Sequence, residues 1–157
     1  MSEPNVQRAT AAVAEQLAEV YQSAYQENRR LGLPNNEAES VSKKRIAGLI
    51  RKSTVYVAKK GDDVIGGVCL ENTDSDRVKL RRLAVHEDWK GEGVGRQLLD
   101  YAEEQAQYHG YATIWLITPK AHPYLPEMYR QRGYEDVETV SQENYDFEFL
   151  VMEKRMS

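Results

Sequence analysis

The sequence predicts an α+β fold whose sheet is antiparallel in its early hairpins. Three observations carry this. Three strand-like runs follow one another between residues 54 and 85, too many in succession for a doubly wound parallel sheet. The first two are joined by a tight turn at Lys60 to Asp63, within TVYVAKKGDDVIGGVCLE. A strongly helical stretch then separates the third run, ending near Val85, from the apolar run YATIWLIT. That helix is a crossover, so the two strands it connects should be parallel and adjacent.

The elements follow from local patterning. NVQRA reads as a short first strand. From Thr10, a plausible cap, Val13, Leu17, Val20, Tyr21 and Ala24 recur at helical spacing and predict a helix ending near Gly32 and Pro34. A second helix restarts at NNEAES, where Asn36 and Glu39 have capping-box spacing; Val41, Ile46, Leu49 and Ile50 form its apolar stripe. After the hairpin, NTDSD is a loop and RVKLRRLAV a strand that opens with charged and apolar residues alternating. A glycine-rich loop precedes a helix with Val94, Leu98, Leu99, Ala102 and Ala106 on one face, ended by Gly110. PKAHPYLPEMYRQRG holds a loop and a short helix stopped by Gly133, and YDFEFLVMEKR is a closing strand. The expected order is β-α-α-β-β-β-α-β-α-β-β. No repeat or long linker interrupts it, so residues 1–157 read as one domain.

Composition narrows the function. With 41% apolar and 29% charged residues the chain is globular, and its net charge of -4 argues against bulk binding to nucleic acid or an anionic membrane. The one cysteine, Cys69, rules out an intramolecular disulfide and a cysteine-based zinc site; in VIGGVCL it reads as a small core hydrophobe. His86, His109 and His122 are scattered, so no metal site is expected, and His122 reads as an exposed loop residue. The start MSEPNVQRATAAVAEQ lacks a basic-then-apolar signal pattern, and no apolar run approaches the ~18 residues of a membrane span. A cytoplasmic location is the expectation. The cluster Arg77, Lys79, Arg81 and Arg82 lacks interleaved aromatics and reads as a solvated strand face rather than a nucleic-acid surface.

The chemistry concentrates in WKGEGVGRQLL, where Gly91, Gly93 and Gly95 stand at a helix start. A phosphate-binding P-loop fails on spacing, because no Gly-Lys-Ser/Thr follows. A dinucleotide fingerprint fails too: Arg96 occupies the last glycine's place and the strand ends several residues earlier. A more general property survives. Unpaired N–H groups and the dipole at a helix start attract anions, and glycines let an anion approach the backbone. Lys90 and Arg96 add positive charge at either end, so KGEGVGR is a candidate pyrophosphate cradle, the alternative being a simple flexible turn.

Here the sequence resembles the GNAT-type N-acetyltransferases. LRRLAVHEDWKGEGVGRQLL resembles their acetyl-CoA signature, whose core Q/R-x-x-G-x-G/A runs from Lys90 to Gly95 with lysine at the first position. YLPEMYRQRGYE resembles the downstream A-x-x-L-Y-x-x-x-G-F element, with Met128, Tyr129, Gly133 and Tyr134 at its last four named positions. Leu125 replaces the usual alanine and His122 falls where asparagine is common. The resemblance implies a mixed, mostly antiparallel twisted sheet flanked by helices, its central parallel strand pair splayed to admit acetyl-CoA. The pantetheine arm would pair with the backbone of Leu83 and Val85, on either side of Ala84. Lys90, Gly91, Glu92, Gly93, Val94, Gly95 and Arg96 would surround the pyrophosphate.

The implied reaction is acetyl transfer from acetyl-CoA to a primary amine of a small molecule or peptide, by direct attack on the thioester and without a metal. Tyr129 is the implied general acid for the departing thiolate. The base stays open: the family's strand glutamate, six residues before Val85, is Lys79 here, leaving Glu71, His122 and Tyr124 as candidates. Residues 21 to 50, with Tyr21, Tyr25, Arg29 and Arg30, would form an acceptor wall. Lys79 shares strand parity with Arg77 and Arg81 unless a bulge redirects one, which favours acceptors bearing an acidic group beside the amine. Two other readings remain: a CoA-binding sensor that has lost catalysis, and a structural dimer whose glycine loop is only a turn. A homodimer is thus left open.

Overall fold

The computed structural model describes residues 4–30, 32, 42–141 and 146–156. β1 (Asn5–Arg8) lies antiparallel on β2 (Thr54–Lys60), which turns through Gly61 and Asp62 into β3 (Asp63–Asn72). The turn falls where the sequence places it, with Lys60 opposite Asp63. β3 pairs antiparallel with β4 (Arg77–Val85), and β5 (Thr113–Pro119) runs parallel to β4. β7 (Glu148–Arg155) joins β5 antiparallel and carries β6 (Glu135–Ser141) on its outer side. The seven strands form one sheet in the order β1-β2-β3-β4-β5-β7-β6.

The crossover helix makes β4 and β5 parallel neighbours, as expected, but their ladder is short. Arg77, Val78 and Lys79 pair with Thr113, Ile114 and Trp115, and there the described ladder ends. Beyond Lys79, β4 stays with β3 while β5 stays with β7, so the central pair splays. β4 also slips register against β3 between Gly67 and Cys69, where Ala84 and Arg81 are their respective partners. Two residues, Arg82 and Leu83, are thus accommodated opposite Val68, and Arg82 has φ 54°, in the left-handed region.

Helices cover both faces. α1 (Ala14–Arg30) and α2 (Lys43–Lys52) bury Leu17, Tyr21 and Ile46 against Val55, Val57, Cys69 and Ala84. On the other face α3 (Val94–Tyr108) and α4 (Leu125–Gln131) bury Leu98, Leu99, Ala102 and Tyr129 against Val68, Leu80, Ile114, Leu116 and Met152. The alternation of the strands sends successive side chains to these two cores. Side-chain volume is missing where both helices come closest. A Cβ on Gly66 would lie 2.9 Å from Leu98 Cδ1 of α3, and one on Gly67 would lie 2.6 Å from Leu17 Cδ1 of α1. The Gly-Gly step in β3 therefore lets both helices seat against the sheet.

Two helix starts differ from expectation. Thr10 is extended but makes no side-chain capping bond; a 3-10 turn over Ala11–Val13 leads into α1 instead. The expected capping box at Asn36 and Glu39, with Pro34 and Val41, lies outside the described residues. The described α2 is capped by Ser42, whose Oγ accepts the Arg45 N–H at 3.2 Å. The sequence reading assigned no residues to β6. Its side chains are exposed at nearly every position, so no apolar alternation marks it.

Candidate active site

A cavity of ≈ 280 Å³ lies beside the end of β4 that has parted from β5. Four parts of the chain wall it: Tyr21, Tyr25, Glu27 and Asn28 of α1; Arg82 to Val85 of β4; the loop and helix start from Trp89 to Arg96; and His122, Tyr124, Leu125 and Met128 around the start of α4. Of the residues the sequence assigned to a cofactor, Leu83, Ala84, Val85, Lys90, Gly91, Gly93, Val94, Gly95 and Arg96 share this wall; Glu92 does not.

The loop is shaped from both ends. The Ser23 Oγ of α1 accepts the Glu87 N–H at 3.0 Å, and His86 Nδ1 accepts the Asp88 N–H at 3.2 Å, starting a 3-10 turn at Glu87–Trp89. Arg30 pairs with Glu87. The chain then passes Gly91 at φ 80° and Gly93 at φ 83°, a conformation that disfavours a Cβ. Gly93 is the N-cap of α3, and its carbonyl accepts the Gln97 N–H. The N–H groups of Val94, Gly95 and Arg96 precede the first intrahelical bond and have no acceptor inside the helix. A Cβ at Gly91 would meet nothing within 4 Å, so the backbone there is approachable. With Arg96 and the positive end of α3, this is a seat for an anionic group.

Lys90 is engaged across the cavity. Its Nζ lies 2.9 Å from Glu27 Oε2 and donates to Tyr124 Oη at 3.3 Å, while Tyr124 Oη donates to Glu27 Oε1 at 2.7 Å. This strap joins α1, the loop and the start of α4. Burial works to raise the Glu27 carboxyl, but the hydrogen bonds from Lys90 and Tyr124 outweigh it and leave its pKa lowered. Burial works to lower the Lys90 ammonium, but its bond to Glu27 prevails and the pKa is raised.

His122 is not the exposed loop residue expected; it is 7% exposed. Its Nδ1 accepts the N–H groups of Tyr124 and Leu125 at 3.2 and 3.1 Å, capping α4. Burial pulls its pKa down, and the hydrogen bonding assigns the neutral ring's proton to Nε2. With Nδ1 committed to the cap, His122 is a poor base through that atom. Tyr129 lies behind the wall rather than on it. It is buried edge-on against Tyr134, at 5.5 Å between ring centroids, and burial holds its phenol protonated well beyond neutral pH. Cys69 is a buried core residue, as expected: burial pushes its thiol up to about 11, and Tyr21 Oη lies 3.6 Å from its sulfur.

The basic cluster of β4 is not a bare solvated face. Arg77 and Lys79 stand over the Trp115 ring at 5.3 and 4.9 Å, Arg77 also approaches Glu153 at 3.6 Å, and Arg81 pairs with Glu71 at 2.5 Å. The bulge falls just after these three, at Arg82, which turns toward α1 and donates to Tyr25 Oη at 3.2 Å. Arg82 and Glu27 are cavity residues that the sequence reading did not assign. Glu27 carries no local signal, being one acid among several on an amphipathic helix. Among the described residues no His/Cys/Asp/Glu group has metal-binding geometry, and no helix is long and apolar enough to cross a membrane.

These features, a sheet splayed at its parallel pair with a glycine-capped helix start beside the gap, define an acetyltransferase-type scaffold. An acetyltransferase (GNAT) domain matches residues 51–136, more than half the chain, and the protein belongs to the GNAT acetyltransferase family. It is 27% identical over 146 residues to an S-alkylcysteine N-acetyltransferase of Bacillus subtilis (strain 168), covering 86% of this chain and 80% of that one. Among solved structures, the PaiA N-acetyltransferase of Thermoplasma acidophilum in complex with coenzyme A superposes with TM-score 0.85 at 18% identity, over 99% of this chain and 100% of that one. A ribosomal-protein-alanine N-acetyltransferase of Brucella melitensis superposes with TM-score 0.80 at 18% identity, over 97% and 99% of the two chains.

Proposed function

We propose that this chain moves an acetyl group from acetyl-CoA to a primary amine of a small molecule or peptide, by direct attack on the thioester. The observation that carries the proposal is the coincidence of the β4–β5 splay with a helix start whose glycines and N–H groups line the same cavity. The residues present fit an acyl-CoA. The N–H groups of residues 94–96 and the side chain of Arg96 would hold its pyrophosphate, and β4 backbone at Leu83 and Val85 would pair with its amide-bearing arm. When bound, acetyl-CoA supplies an activated acetyl thioester. Tyr129, kept protonated by burial, is the proposed proton donor to the departing thiolate. An alkylamine is mostly protonated near neutral pH, with a pKa of about 10, so activity should rise toward alkaline pH.

The name of the Bacillus relative supports an amino-acid-like acceptor. Lys79, at the position where the family resemblance expects an acidic base, supports a second reading, a CoA-binding sensor without catalysis. The experiment is CoA-thiol release from acetyl-CoA with a panel of amino acids, peptides, polyamines and neutral amines. Thiol release matched by acetylated amine is expected. Acetyl-CoA binding without release on any amine would favour the sensor.

A further inference from the structure

The cavity wall holds a primary ammonium that the chain itself supplies. Lys90 Nζ lies 2.9 Å from Glu27 Oε2 and donates to Tyr124 Oη at 3.3 Å. The Tyr124 hydroxyl donates to Glu27 Oε1 at 2.7 Å, so carboxylate and phenol act as one pair of acceptors. The Lys90 nitrogen also stands 5.9 Å from the centroid of the Tyr124 ring. A primary ammonium offers three donors and no acceptor, and a carboxylate, a hydroxyl oxygen and an aromatic ring are the partners that suit it.

The fold fixes both members of the pair. Ser23, Glu27 and Arg30 fall at i, i+4 and i+7 on one face of α1, and all three contact the stretch from Glu87 to Lys90. The His122 ring stands edge-on to Tyr124, 4.4 Å between centroids, and its Nδ1 accepts the Tyr124 N–H at 3.2 Å. Among the described residues that line the cavity, Glu27 is the one carboxylate; Glu71 pairs with Arg81 away from this wall, and Glu92 is not on it. The Glu27 side chain is 21% exposed and that of Lys90 is 40% exposed, so the pair lies at a rim that an incoming molecule can reach. Lys90 also directly precedes Gly91, where the backbone of the anion seat is open. A diphosphate on that seat sets two negative charges against the single charge of Glu27 in attracting the Lys90 ammonium.

We propose that Glu27 and Tyr124 form the binding site for the primary ammonium of the acceptor, a site that Lys90 fills in the free protein and leaves when the diphosphate of acyl-CoA is seated. This rests on the acetyltransferase reading above. The acceptor class is then a primary amine that is cationic in solution; an alcohol or a neutral amide lacks the charge that Glu27 selects. The bound ammonium loses one proton to solvent. Its nitrogen then forms the amide bond to the acetyl carbon as the C–S bond breaks, the nitrogen's second proton balances the one the thiolate takes up, and CoA leaves as the thiol.

The test uses S-methyl-L-cysteine and 2-(methylthio)ethylamine, which share the ammonium and differ in the carboxylate. Calorimetry measures their binding to the free protein, to the CoA-saturated protein and to protein saturated with pantetheine, which lacks the diphosphate. The wild type should bind at least one of them about 10-fold more tightly with CoA than when free or with pantetheine. Lys90→Met should bind that amine without CoA about as tightly as the CoA-saturated wild type does. Glu27→Gln should weaken amine binding to the CoA-saturated protein, and raise the KM for the amine, by about 10- to 100-fold. CoA itself should bind Glu27→Gln as tightly as the wild type or more tightly, because Lys90 has lost its competing partner; damage to the fold would weaken both ligands. If Glu27→Gln does not fold, Glu27→Asp and Tyr124→Phe carry the comparison. The site is overturned, and the transferase left standing, if CoA release persists while folded Glu27→Gln binds the amine as the wild type does or loses amine and CoA affinity together. It is equally overturned if the CoA-saturated wild type binds neither amine, or binds them no better than the free or pantetheine-saturated protein. No CoA release with any amine overturns both.

Discussion

Tyr129 and Tyr124 sit five residues apart around the start of α4 and meet different surroundings. Tyr124 is exposed and shared between Glu27 and Lys90, whereas Tyr129 is buried against Tyr134. Burial works in one direction on Tyr129: it penalises the phenolate and keeps the proton in place. The same burial weakens the phenol as an acid, so donation requires the departing thiolate to reach Tyr129 through the wall in front of it. Replacing Tyr129 with Phe keeps the ring packing and removes the proton. Turnover should fall by roughly 10²-fold or more, with little change in acetyl-CoA affinity measured by calorimetry. A rate within about threefold of the wild type, with chemistry limiting, would move the role to another group; Tyr124 is the cavity-wall phenol nearest in sequence, on the same approach to α4.

Two elements are held in register by groups that act between them. The Glu27–Lys90–Tyr124 strap links α1, the loop before α3 and the start of α4. Its pH dependence has a definite sign. Glu27 has a lowered pKa in the fold, so its contribution is present above the usual carboxylate pKa and is lost as pH falls through the lowered value. Lys90 has a raised pKa, so its contribution is present below the usual lysine pKa and is lost as pH rises through the raised value. Between about pH 6 and 9 both contributions stand. The melting temperature of Glu27→Gln should lie below the wild type across that window, and the gap should narrow progressively as pH falls below the usual carboxylate range. A gap that does not narrow with acidification would mean that Glu27 acts by packing rather than charge. The Gly-Gly step of β3 makes a second element-scale prediction. A Cβ at Gly66 meets Leu98 at 2.9 Å and both the Ala84 carbonyl oxygen and Val94 Cγ1 at 3.1 Å, and that backbone oxygen has little room to retreat. Gly66→Ala should cost ~1–3 kcal/mol by denaturant titration, as overpacking does in well-filled cores. An unchanged midpoint would show that α3 can lift from the sheet freely.

Across the whole molecule, the cavity is assembled from parts that share no local sequence: α1, the splayed edge of β4, the glycine loop and the start of α4. A ligand bridging them stabilises the folded state over an unfolded chain in which the parts are dispersed. Acetyl-CoA at a hundredfold excess over its dissociation constant should contribute ~2.7 kcal/mol, a shift of roughly 5–10 °C in melting temperature for a chain of this size. Gly93→Val should remove most of that shift. Valine is disfavoured at φ 83°, and its Cβ would stand 3.3 Å from Arg96 Nη2 beside the anion seat. A folded Gly93→Val protein with the full acetyl-CoA shift would take the loop out of the binding argument.

Periodicity and turn chemistry sufficed for the hairpin at Lys60–Asp63, for the apolar faces of α1 and α3, and for the parallel pairing of β4 with β5. These depend on interactions within a few residues, or on the geometric rule that a helical crossover joins parallel neighbours. The glycines before α3 were legible for the same reason, since a helix start and its conformational freedom are local properties. β6 entered the expected order only as a place, with no residues assigned: its exposed side chains leave no alternation, and pairing with β7 and the Arg130–Asp136 ion pair hold it in place. The remaining site residues were decided only by tertiary packing. Tyr25 and Arg82 lie 57 residues apart, and Glu27 and Tyr124 lie 97 apart. Which of the four β4 cations lines the cavity turns on a bulge, because one extra residue reverses the side-chain alternation beyond it. His122 likewise became a buried helix cap because the fold brings its ring over the first N–H groups of α4. No spacing of residues in one chain encodes such a contact; it exists only once two distant segments have packed against the same sheet.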